Sequence, residues 1–184
     1  MSTILTPANQ LTLLRMLLVP VFVICMLYDM PGWALVTFAA AGATDLFDGL
    51  VARLTKQQSD LGAWLDPAAD KLLLLSMFVM LTVPNAALAN RLPVWLTVLV
   101  ISRDIGIVLT VAIINLATGP RTFRPSIYGK IATATYIVTA VVAMFFNYRG
   151  YPSPVVTLFV YASLAITLIS GLHYVLHASR IVNS

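Results

Sequence analysis

Residues 44–71 read TDLFDGLVARLTKQQSDLGAWLDPAADK. Every acid in the chain is Asp, and five of the seven acids lie here, as Asp45, Asp48, Asp60, Asp66 and Asp70. Elsewhere the chain avoids charge. Only 10% of its 184 residues are charged and 60% are hydrophobic, whereas a soluble domain carries about 25% charged residues. With a mean hydropathy of +0.92, the expected solvent is a bilayer. Ionisable side chains in that solvent are costly, so they face a bundle interior or a wet cavity and usually mark function. Four carboxylates crowded near one membrane face need a shared compensating charge, and a divalent cation supplies it.

Spacing carries the reading further. Asp45 and Asp48 are three apart, and Asp66 and Asp70 are four apart, so each pair shares one helical face. At about 100° per residue, Asp45, Asp48, Gly49, Ala52 and Arg53 fall within an arc of roughly 140°. Gly62 shares a face with Asp66 and Asp70. The short connection between the two segments makes them antiparallel neighbours, and their acidic faces can converge. Carboxylates suit Mg²⁺ or Mn²⁺, which also take phosphate oxygens. Zinc is disfavoured, because the chain has one Cys and its two His lie far from this stretch. Gly49 and Gly62 leave room for a ligand near the backbone, although either could equally be a helix-packing residue. Arg53 offers a planar fork for phosphate.

Outward from this stretch, apolar runs predict an all-α integral membrane bundle of six transmembrane helices forming one domain over residues 1–184. The helices span about 11–28, 33–53, 62–83, 93–117, 127–146 and 154–178. Thr6 to Gln10 reads as a short interfacial lead-in. The start does not resemble a removable signal peptide, since no basic run precedes the first apolar stretch and Arg15 is the first charge. Cys25 is expected as packing. Six spans put both termini on one side. Lys56, Arg121, Arg124 and Arg180 fall on that side, with Arg53 and Lys130 at helix ends, against Arg91 and Arg149 opposite. The positive-inside rule then places the termini and the acidic connection in the cytoplasm.

The stretch is similar to the signature of the CDP-alcohol phosphotransferase family, D-x2-D-G-x2-A-R-x8-G-x3-D-x3-D. All its fixed positions are present, as Asp45, Asp48, Gly49, Ala52, Arg53, Gly62, Asp66 and Asp70. The family's six-helix layout fits the whole chain. The resemblance implies a phosphatidyltransferase that takes CDP-diacylglycerol as donor and releases CMP. It implies that Asp45, Asp48, Asp66 and Asp70 hold two Mg²⁺ or Mn²⁺ ions, and that Asp70 also takes the acceptor's proton. It assigns the donor to Thr44, Gly49, Ala52, Arg53 and Gly62, with Arg53 on the pyrophosphate. The implied location is the bacterial inner membrane with the site at the cytoplasmic face. The implied partners are membrane lipids and no nucleic acid, and by analogy the chain forms a homodimer.

The acceptor is read from other segments. TPANQLTLLRMLLVPVF and Asp66-Pro67-Ala68-Ala69-Asp70-Lys71 resemble the branch that makes anionic lipids. Within it, phosphatidylglycerophosphate synthases carry an Arg-Glu pair on the fourth helix and a second Arg about two turns later. Here Arg103 and Asp104 are present, but the later position, near Val111, is apolar. AGATDLFDG, ISRD and FRPSIYGK resemble the cardiolipin synthase type. The reading therefore leans to phosphatidylglycerol as acceptor, with glycerol 3-phosphate as the alternative. Arg103, Arg124 and Lys130 are the acceptor-binding candidates. Arg103 and Asp104 could instead simply pair inside the bundle, and Arg124 and Lys130 could mark topology or meet lipid headgroups.

Two rival functions fit less of the pattern. Intramembrane prenyltransferases use Asp-rich motifs, but far apart in longer chains. A cation- or proton-coupled transporter accounts for buried Asp, but not for Gly49, Ala52, Arg53 and Gly62 at these gaps. His173 and His177 read as interfacial rather than metal-binding, and Trp33, Trp64 and Trp95 as an interfacial belt.

Overall fold

Three of the helices open on proline. Its fixed φ suits the first helical turn, and its missing N–H would have had no partner there. In the computed structural model, which describes residues 7–55, 60–84, 88–118 and 126–182, α1 is Pro7–Leu27, α2 Pro31–Thr55 and α3 Asp60–Thr82. The second half comprises α4 Val94–Thr118, α5 Ile127–Arg149 and α6 Pro154–Val182. Side chains are described except at 7–9, 45–46, 48–55, 60–64, 117–118 and 175–182. No strand occurs among the described residues.

Among the described residues, four helices, α1, α4, α5 and α6, are long and apolar enough to cross a membrane. The other two, α2 with 25 residues and α3 with 23, match them in length but carry the acidic stretch. The expected lead-in at residues 7–10 is instead the first part of α1. Thr6 lies outside the described residues.

A tight turn joins α1 to α2. Asp29 takes the left-handed conformation at φ 56°, and the Met30 N–H donates to the Cys25 carbonyl at 2.9 Å. This is a helix-ending motif that Asp tolerates better than most residues. The two helices pack against each other, with Phe22 and Phe38 meeting at 6.1 Å between ring centres. Small residues allow close approach elsewhere. A Cβ on Gly32 would lie 2.9 Å from the Tyr148 ring, so α2 crosses α5 closely there.

The core runs through Phe22, Met77, Phe78, Leu81, Tyr136 and Met144, all essentially inaccessible. Polar groups inside it are paired. The Tyr136 hydroxyl meets Thr167 Oγ1 at 2.6 Å, and Thr139 Oγ1 meets Ser163 Oγ at 2.7 Å, which ties α5 to α6. Such interhelical hydroxyl pairs supply the directional contacts that apolar packing cannot. Ser126 caps α5, accepting from the Gly129 N–H at 3.0 Å, and Gly150 ends it at φ 73°.

At the end of the bundle away from the acidic stretch, Asn90 and Asn147 interlock. The Asn90 N–H donates to Asn147 Oδ1 at 2.7 Å, and Asn147 Nδ2 donates to the Asn90 carbonyl at 2.9 Å. Asn90 also receives from the Ser153 N–H at 2.7 Å and donates to the Tyr151 carbonyl at 2.9 Å. The connection before α4 is thereby fixed to the connection before α6.

Asn147→Ala strands the Asn90 backbone groups in a buried setting. It is expected to destabilise the fold by about 1–3 kcal/mol, read as a lower unfolding midpoint in detergent. An unchanged midpoint contradicts the lock.

Candidate active site

Asp66 and Asp70 sit one turn apart on α3, and each gives an oxygen to α1. Asp66 Oδ1 accepts from the Thr12 hydroxyl, and Asp70 Oδ1 accepts from Arg15 Nη1. Thr12 pairs with the earlier acid and Arg15 with the later one, so α1 and α3 run parallel as the first and third legs of an up–down–up bundle. Arg15 has no solvent exposure, whereas the Asp70 side chain is 50% exposed. A guanidinium at the centre of a membrane helix costs about 2.5–3.5 kcal/mol even on the mildest scale. A facing carboxylate compensates for that cost, and removing the partner would leave an uncompensated buried charge.

Lys71 follows Asp70 but turns the other way. Its ammonium pairs with Asp104 on α4. Asp104 also accepts from Arg103 Nη1 at 2.7 Å, and Arg103 Nη2 donates to Ser170 on α6 at 2.7 Å. The Arg103 side chain is only 9% exposed, and its Nε has no hydrogen-bond partner among the described residues. The backbone of α5 passes close by. A Cβ on Gly129 would stand 3.2 Å from Arg103 Nη2. Lys130, next in the chain, is exposed. Two polar sets therefore start from adjacent residues of α3: one joins it to α1, and the other joins it to α4 and α6, with the start of α5 over its far end.

The sequence-predicted residues fall out as follows. Asp66, Asp70, Arg103 and Lys130 come to this end of the bundle. Thr44 lies on α2, its hydroxyl donating to the Ala41 carbonyl at 2.6 Å. Asp45, Asp48, Gly49, Ala52 and Arg53 lie on the last turns of α2, and Gly62 on the first turn of α3. The side-chain placement of these six, and Arg124 altogether, lie outside the described residues. Among the described residues, no three His, Cys, Asp or Glu side chains gather as a metal site. Asp66 and Asp70 form the described half of the expected constellation. Their partners include a hydroxyl, from Thr12, and a guanidinium, from Arg15. As ligands the two carboxylates are hard oxygen donors, which fit a hard divalent cation.

Thr12 and Arg15 are the residues that the sequence reading passed over. A signal was present, since Arg15 is a lone charge inside an apolar span. Its partner lies 55 residues away, beyond any local periodicity. Lys71 was likewise read as part of a motif rather than as the partner of Asp104. His173 packs against Tyr128 with ring centres 4.6 Å apart.

Comparison with known proteins bears on the same residues. The model of the CDP-alcohol phosphatidyltransferase family matches residues 5–170. A probable phosphatidylglycerophosphate synthase of Mycobacterium tuberculosis is 34% identical, over 94% of this chain and 81% of its own. A cardiolipin synthase (CMP-forming) of Streptomyces coelicolor is 31% identical, over 98% of this chain and 86% of its own. The human cardiolipin synthase (CMP-forming) is 35% identical over 78% of this chain and 52% of its own.

The two ends of the Lys71–Asp104–Arg103 chain should differ in weight. Asp104→Leu leaves the buried Arg103 without its countercharge and is expected to cost about 3–5 kcal/mol. Lys71→Met removes a half-exposed partner and is expected to cost less than about 1 kcal/mol. Unfolding midpoints of the two variants in one detergent check this, and equal losses contradict it.

Proposed function

The chain belongs to the CDP-alcohol phosphatidyltransferase family, and from that premise we propose that it transfers the phosphatidyl group of CDP-diacylglycerol to a hydroxyl of phosphatidylglycerol, releasing CMP. The observation that carries the reading is the pair Asp66 and Asp70, held side by side on α3 by donors from α1, inside the full family signature.

In this reading Asp45, Asp48, Asp66 and Asp70 hold two Mg²⁺ or Mn²⁺ ions. When bound, such ions stabilise charge on the attacking and leaving oxygens of an in-line displacement. Arg53 grips the donor's pyrophosphate, and Thr44, Gly49, Ala52 and Gly62 make room for the cytidine side. Asp70 takes the proton from the acceptor hydroxyl as that oxygen bonds to the phosphatidyl phosphorus. The bond from that phosphorus to CMP breaks, and CMP leaves.

The acceptor side rests on Arg103, Arg124 and Lys130. Arg103 would have to release Ser170 or Asp104 to grip an acceptor. Lys130 is exposed and needs no such exchange, which makes it the stronger of the two. An apolar cavity of about 180 Å³ between α3 and α4 has Lys71 and Asp104 at its polar end and Leu74, Phe78 and Val100 along it. That amphipathic lining suits a lipid acceptor better than a water-soluble one. Glycerol 3-phosphate is the second reading, supported by the likeness to the mycobacterial protein. We further place α2 and α3 across the membrane with the other four helices, giving six spans. The acidic end then faces the cytoplasm at a bacterial inner membrane, with the chain as a homodimer.

Purified protein given CDP-diacylglycerol, Mn²⁺ and each acceptor should release CMP, with cardiolipin identified by mass when phosphatidylglycerol is supplied. Asp70→Asn should lower the rate by about 10²–10⁴-fold when assayed well below its unfolding midpoint, which also falls because buried Arg15 loses a countercharge. CMP released with neither acceptor, or near-native turnover in Asp70→Asn, sinks the reading or the base assignment respectively.

A further inference from the structure

We propose that Thr12 and Arg15 are positioning residues, through which α1 aims the Asp66 and Asp70 carboxylates and sets the protein's affinity for a divalent cation. The inference rests on the cation reading of those two acids. It concerns residues that lie outside the family signature stretch, on a different helix.

The geometry is repeated, not single. Two donors three apart on α1 meet two acceptors four apart on α3, in the same order along parallel helices. An aspartate on a half-exposed helix face has two soft side-chain torsions, and holding it in one orientation costs conformational freedom. A fixed donor lowers that cost before any cation arrives. Arg15 is suited to this because it is wholly buried and its planar fork has little freedom to turn away. Thr12 is also fully buried, and its branched side chain is stiff about its first torsion. Lys71, the nearest competing cation on α3, is turned toward Asp104, so α1 has the α3 acids on its own side.

A role as a plain interhelical latch would stabilise α1 against α3 without touching cation affinity. The two roles therefore separate in measurement. Partners that orient ligating carboxylates typically change affinity or activity by about 10–100-fold when removed.

The test uses the full chain in detergent and reads free Mn²⁺ by electron paramagnetic resonance, alongside unfolding midpoints and CMP release. Thr12→Val keeps shape and charge but loses the donor. Arg15→Lys keeps the charge but loses the fork. Both are expected to weaken Mn²⁺ binding by about 10-fold or more, and the Mn²⁺ concentration giving half-maximal CMP release should rise by the same factor. Asn147→Ala, at the far end, should lower the midpoint and leave Mn²⁺ binding as it is. Native Mn²⁺ affinity in Thr12→Val and Arg15→Lys, with lowered midpoints, would overturn the proposal in favour of a latch. Native affinity in an Asp66→Asn reference would overturn the cation reading and this inference together, which tells the two failures apart.

Discussion

Arg15 places a permanent positive charge at a point with no access to water, on a helix that carries no other charge. Nothing on α1 can neutralise it, so an acid from another helix must. Asp70 is that acid, and the pairing settles which face of α3 lies against α1. The neighbouring residue, Lys71, then points toward α4, where Asp104 takes it up together with Arg103. Among the described residues, Arg15, Lys71 and Arg103 are each paired with an acid, Asp70 or Asp104. A bundle in a low-dielectric solvent needs such pairing, because an unmatched charge would cost more than any single packing contact returns.

The rest of the fold supplies a rigid frame around this set. Phe78 meets Tyr136 edge-on with ring centres 5.8 Å apart, joining α3 to α5 beneath the polar end. Hydroxyl pairs then join α5 to α6. Asn90 and Asn147 close the opposite end. Satisfied buried polar groups of this kind specify one arrangement of helices where apolar packing alone would allow several. Directional bonds thus sit at both ends of the bundle, with a mostly apolar core between them. The acidic end differs in carrying charge and an exposed carboxylate.

Much of this was legible before any coordinates. Apolar runs of about 20 residues announce helices, and all six appear near their expected places. Boundaries moved where local chemistry overrode hydropathy, as at Pro7, which starts α1 earlier than the apolar run does. The acid pair on α3 was legible because helical spacing is a local property. The partners of those acids were not. Thr12–Asp66 and Arg15–Asp70 join residues more than fifty apart, and only packing brings them together. Arg103 had two open readings, and its paired, mostly buried position shows how the less functional one is built. The side chains of the α2 acids, and Arg124 altogether, lie outside what the structure describes, so the convergence of Asp45 and Asp48 on the α3 pair rests on spacing and on the family signature.

The central claim is that carboxylates of α2 and α3 share a divalent cation at the end of the bundle where α1 holds Asp66 and Asp70. Anomalous scattering from crystals grown with Mn²⁺ addresses it most directly. The account predicts anomalous peaks within about 2.5 Å of Asp66 and Asp70 oxygens, with Asp45 and Asp48 completing the shell and Thr12 and Arg15 still bonded behind the α3 pair. Crystals that bind Mn²⁺ elsewhere, or not at all, with Asp66 and Asp70 held by Thr12 and Arg15 alone, would contradict it.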